Sequence, residues 1–89
     1  MDYDEQINRY IGKQIQGLRN EKGWTQRKLA EAADVDEKHL GKVERGNATT
    51  TIPYLYKLSA GLGLNDPHLL LKTASQEIYP TMKREKEKQ

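Results

Sequence analysis

No cysteine occurs in the 89 residues. That excludes a disulfide framework and a thiolate metal site, and it suits a reducing compartment. No apolar run approaches the roughly eighteen residues of a membrane span. The opening stretch MDYDEQINRY is acidic and polar, unlike a signal peptide. The expectation is a cytoplasmic protein without membrane contact. His39 and His68 stand far apart, with no carboxylate or cysteine partner at metal spacing, and read as surface residues. There is no phosphate-cradling glycine loop, nucleophile elbow or zinc-protease motif. An enzyme, a bound metal and a cofactor are therefore not expected. Charge of one sign is lacking too: fifteen basic and thirteen acidic residues leave a net +2. Any affinity for a polyanion has to come from how those charges are distributed.

What is present is helical patterning. Ile7, Ile11, Ile15 and Leu18 recur every three or four residues, one apolar stripe on a helix over 4–22. Gly12 and Gly17 weaken it by about 1 kcal/mol each against alanine, and Gly23 ends it. Two short helices follow at about 26–33 and 37–45, then a polar loop from Asn47 to Thr51. Thr50 or Thr51 can cap a fourth helix that tolerates Pro53 in its first turn, with Ile52, Leu55, Leu58 and Leu62 as its buried stripe. Gly63 suits the left-handed residue after it. Asp66-Pro67 is a further start signal and predicts a fifth helix to about Tyr79, broken by Pro80. The pattern predicts an all-α five-helix bundle over residues 1–79. Residues 80–89, nearly all charged, form a flexible tail or a fraying helical extension. Only 35% of the chain is hydrophobic and 31% is charged, so the core is small and a dimer partner would help it.

The most informative stretch is Thr25 to Gly46, TQRKLAEAADVDEKHLGKVERG. Thr25 can cap a helix carrying Leu29, Ala30 and Ala33. Asp34-Val35-Asp36 makes a turn, and Asp36 can cap a second helix carrying Leu40 and Val43. Ala30 must stay small for the two helices to cross closely. This is the spacing of a helix-turn-helix. Trp24-Thr25-Gln26, Leu29-Ala30-Glu31-Ala32-Ala33 and Val43-Glu44-Arg45-Gly46 resemble the phage repressor/Cro (XRE-like) class. Leu18 to Gly23 and Leu55 to Leu64 resemble the same family's first and fourth helices, so the likeness runs from about Ile7 to Leu71. It implies a lambda-repressor-like fold with a central helix-turn-helix, in which Trp24 occupies a core position.

The resemblance implies that Gln26 sits against the DNA backbone and steadies the recognition helix, as a helix N-terminus favours phosphate. The second helix should present Asp36, Glu37, Lys38, Gly41 and Lys42 to the groove. Arg27, Lys28, Lys38, Lys42 and Arg45 give this stretch a local basic excess. Lys38 and Lys42, four apart on one face, can donate to guanine or pair with phosphate. Glu37 has two readings: it accepts from cytosine N4, or it stabilises the helix start and lowers nonspecific affinity. Arg45, Asn47 and Thr49 follow in a loop able to touch phosphate. In the resembled family the residues matching Arg19 and Glu44 pair across the bundle. Two positions depart from the family pattern. Asp34 stands where glycine is usual, a turn that survives at some strain, and Gly41 stands where a side chain often reaches DNA.

These features lead to a sequence-specific, double-stranded DNA-binding transcriptional regulator, a repressor, acting at a near-palindromic operator. The alternative, motivated by the acids Asp34, Asp36 and Glu37, is an antitoxin-like or anti-repressor protein-interaction module. A homodimer through the C-terminal helix is also expected. His68-Leu69-Leu70-Leu71 sweeps apolar surface through about 200° of a helix, with Ile78 and Tyr79 adding more, and such surface marks an interface.

Overall fold

The computed structural model describes residues 2–88, and all regular structure among them is helical. Four helices form the body: α1 (Tyr3–Glu21), α2 (Gln26–Ala33), α3 (Glu37–Glu44) and α4 (Ile52–Leu62). Each starts where a side chain accepts a free backbone N–H. Asp2 accepts from Asp4 at 3.2 Å and Thr25 from Lys28 at 3.1 Å. Asp36 accepts from His39 at 2.8 Å and Thr51 from Tyr54 at 3.2 Å. Each helix also stops at a residue with positive φ: Gly23, Asp34, Gly46 and Gly63. There the next two N–H groups fold back onto helix carbonyls. After α2, Asp34 N donates to Glu31 O at 3.3 Å and Val35 N to Ala30 O at 2.9 Å. The same paired bonds close the other three ends, the Schellman arrangement. Trp24, Val35 and Leu64, each just past such a turn, pack against the core.

That core joins Ile11 and Ile15 of α1 to Leu29, Ala30 and Ala33 of α2. Leu40 and Val43 of α3, Leu55, Leu58 and Leu62 of α4, and Leu70 complete it. Two crossings are tight. A methyl group on Gly12 would overlap the carbonyl oxygens of Val43 and Glu44, so α1 meets the end of α3 backbone to backbone. Gly61 lies against Ala33 in the same way where α4 crosses α2. Gly17 has open space around it. Ile52 differs from its expected place in the buried stripe: it is 62% exposed. It opens α4 ahead of Pro53, and the inward ridge is Leu55, Leu58, Ser59 and Leu62.

The C-terminal part also differs from expectation. In place of one fifth helix there is a 3-10 segment (Pro67–Leu71), then α5 (Lys72–Glu77) and α6 (Tyr79–Glu87). Asp66 caps the segment, accepting from His68 N at 3.0 Å. The tighter 3-10 turn rotates successive residues further apart than an α-helix does. Leu70 is thereby fully buried, Leu71 half-buried and Leu69 38% exposed. Gln14 of α1 fixes this geometry: its Nε2 donates to Leu69 O at 3.1 Å, and Thr73 Oγ1 donates to its Oε1 at 3.0 Å. Pro80 ends α5 by lacking an N–H, yet it sits in the first turn of α6, where that lack is tolerated. The charged end is thus a helical extension through Glu87. Ile78, expected on the surface, is buried at the α5–α6 junction, while Tyr79 is exposed. No helix of the described residues is long and apolar enough to cross a membrane.

Candidate nucleic-acid interface

The candidate interface rests on an ion pair beneath it. Glu44, at the end of α3, has only 1% of its side chain exposed, and Arg19 of α1 has 11%. Arg19 donates Nε to Glu44 Oε2 and Nη2 to Oε1, both at 2.8 Å, and Nη1 to the Trp24 carbonyl at 2.7 Å. Hydrogen bonding to Glu44 holds the guanidinium even more firmly protonated than usual, against the opposing effect of burial. Gln26 supplies a third donor, Nε2 to Glu44 Oε1 at 3.1 Å. One buried carboxylate therefore ties together α1, the loop before α2, the first residue of α2 and the last turn of α3.

Above this network lies an open groove lined by Gln26, Asp36, Glu37, Lys38, Gly41, Lys42 and Arg45. Seven of the residues singled out from sequence thus converge on one face. Their states differ. Lys38 and Lys42 are exposed. Asp36 is engaged in capping α3. Gly41 is buried rather than offered as open backbone: a Cβ there would lie 3.3 Å from both Gln26 Oε1 and Arg45 Nη1. Its small size makes room for those two side chains. Arg27, at the rim, donates Nε to Glu37 Oε1 at 3.3 Å.

Three candidates lie away from the groove. Lys28 sits over the Trp24 ring at 5.6 Å, with Lys22 at 4.9 Å. Asn47 closes the α3 turn through its N–H. Thr49 Oγ1 accepts from Asn8 Nδ2 at 3.4 Å. His39 is half-buried, not a free surface residue, and stands edge-on to Tyr54 at 5.1 Å. Burial, reinforced by the negative charges of Asp36 and Glu44, pushes the Tyr54 phenol up to about 12. His68 is exposed and lies 2.9 Å from Asp66.

Reading the sequence missed the part of this face that α1 provides. Arg9, Lys13 and Gln16 line a second hollow that shares Gln26 and Arg45 with the groove and reaches Glu44 of the network beneath it. Their spacing, four and then three residues, marks one helical face and was the available signal. Gly12 brings that face close to α3.

Two short helices joined at a left-handed turn, with the second helix open along a groove edged by basic side chains, define a helix-turn-helix protein. Comparison with known proteins gives the family. Residues 15–69 match the HTH_3 family, described as helix-turn-helix. The HTH-type transcriptional regulator SutR of Escherichia coli (strain K12) is 33% identical over 78 residues, 88% of this chain and 43% of that protein. The HTH-type transcriptional regulator SinR of Bacillus licheniformis is 37% identical over 70 residues, covering 78% of this chain and 62% of its own length. Among solved structures, the restriction-modification controller protein C.AhdI from Aeromonas hydrophila aligns with a TM-score of 0.68 and 30% identity. That match covers 71% of this chain and 94% of the controller protein. The chain belongs to the HTH_3, XRE-type helix-turn-helix family, and it spans less than half the length of SutR.

Proposed function

We infer that this chain is a DNA-binding regulator of transcription, a cytoplasmic repressor that seats α3 in the major groove of a near-palindromic operator. The observation that carries the reading is the convergence of Gln26, Lys38, Lys42 and Arg45 on one groove, continued by Arg9 and Lys13. An eight-residue helix is about 12 Å long, a length the major groove, about 12 Å wide, accommodates. Lys38 and Lys42 address base edges or the flanking phosphates. Gln26, Arg9, Lys13 and Arg45 fix the register on the backbone. Two copies pair through the C-terminal elements, where Leu69 and Tyr79 are exposed, and so present two α3 helices about 34 Å apart to successive grooves.

Titrating a labelled duplex at several salt concentrations tests the binding. Affinity should fall steeply with salt, and Arg9→Ala or Lys13→Ala should each reduce the logarithmic slope by about 1. Negligible binding of every duplex would overturn the reading and favour a protein-interaction module. Sedimentation equilibrium over micromolar concentrations tests the pairing. A chain that stays monomeric throughout would remove the dimer from the mechanism.

A further inference from the structure

Two polar side chains of the groove are engaged in fixing the fold itself. Asp36 caps α3 and Gln26 is held by Glu44. Glu37 is held differently. Its side chain, 47% exposed at the start of α3, is met from α2 by Arg27, which is itself 75% exposed. An ion pair this open to water adds little to stability. Its effect is electrostatic: Arg27 Nε lies 3.3 Å from the carboxylate at the groove edge and offsets its charge, which a phosphate backbone would otherwise repel. The guanidinium's other two nitrogens have no partner among the described residues, so they can address that same backbone.

A carboxylate only accepts hydrogen bonds. In the major groove guanine and thymine offer it acceptors alone. Adenine offers a donor next to an acceptor that repels it, and cytosine offers the N4 donor. We propose that Glu37, charge-compensated by Arg27, is a specificity-determining residue that selects a C·G pair at one position of each half-site. This assignment rests on the DNA-binding reading above.

The test is site selection from a random duplex library by the full chain and by Glu37→Gln, Glu37→Ala and Arg27→Ala, with thermal melts to follow folding. The unaltered chain should prefer cytosine at one position by about tenfold. Glu37→Gln should move that position alone to adenine, since an amide both accepts from N6 and donates to N7. Glu37→Ala should flatten it. Arg27→Ala should weaken the cytosine preference and bind all duplexes less well. An unchanged preferred site for Glu37→Gln, or a uniform gain of affinity on every sequence, would overturn the assignment while leaving the DNA-binding reading intact. Failure of the unaltered chain to select or bind any duplex would overturn both.

Discussion

Between Asp2 and Gly63 every helix opens on a side-chain cap and closes on a left-handed residue, whereas α5 and α6 have no side-chain cap at all. The first region thus carries its boundaries in its own local chemistry, at about 1 kcal/mol per cap. The second depends on distant residues: Gln14 reaching from α1, and Leu70 and Ile78 entering the core. Helix α6 buries no residue of its own. The candidate groove is thereby mounted on the self-bounded region. The proposed pairing surface lies on the one whose shape is set by what it packs against.

Amide exchange is the most direct way to break this comparison, and it has the largest expected contrast. Core amides of α1 to α4 should exchange only through global unfolding, at about 5 kcal/mol or more. Amides of α6 should exchange through local opening at close to zero. Equal protection in both regions would abolish the distinction. Protection of α6 that rises with protein concentration would sharpen it, by placing the contact between copies there.

The next largest effect tests the anchor of the first region. Glu44→Ala leaves Arg19 buried without its carboxylate, and losing one partner of a buried pair costs about 3–5 kcal/mol. Urea denaturation should show that loss, enough to bring a small domain near unfolding. A cost below about 1 kcal/mol would mean that α1 and α3 are held by apolar packing alone. Two glycines of α1 then separate packing from propensity. Gly12→Ala forces a methyl group onto two backbone carbonyls, and overpacking of this kind costs about 1–3 kcal/mol. Gly17→Ala meets nothing and should stabilise by up to about 1 kcal/mol. Equal shifts in their denaturation midpoints would show that the α1–α3 crossing is not close.

How much was legible follows the same division. The bounds of α1 to α4 agree with the sequence reading to within a residue or two, because Asp, Thr and Gly at their ends act on neighbouring N–H and C=O groups. Leu40, Val43 and Leu58 declared themselves by helical spacing. The pairing of Arg19 with Glu44 came through the family likeness, since nothing local links residues so far apart in the chain. Three successive leucines could not reveal a 3-10 segment, because Gln14 sets that geometry from 55 residues away. Ile78 and Ile52 exchanged their expected environments, since burial at a helix junction or a first turn depends on which element covers it. For the same reason Gly12 looked like a weakness of α1 until α3 was beside it. Arg9 and Lys13 share a hollow with Gln26 and Arg45 where α1 lies against the end of α3.

The smallest expected effect concerns the one left-handed end without glycine. Asp34 holds φ 56° and ψ 51°, a region that costs an ordinary residue about 1–2 kcal/mol and aspartate less. Its carboxylate also sits at the C-terminal end of α2, where a negative charge is disfavoured. Asp34→Gly removes both penalties, but it gives the unfolded chain extra freedom that opposes the gain by about 0.4–1 kcal/mol. The net should be a stabilisation below about 1 kcal/mol, a rise of a few degrees in melting temperature for a domain of this size. Asp34→Ala is the control, because it removes the charge and keeps the Cβ. If strain dominates, the alanine variant melts below the glycine one. If charge dominates, the two variants rise together, and the turn is not strained enough to matter.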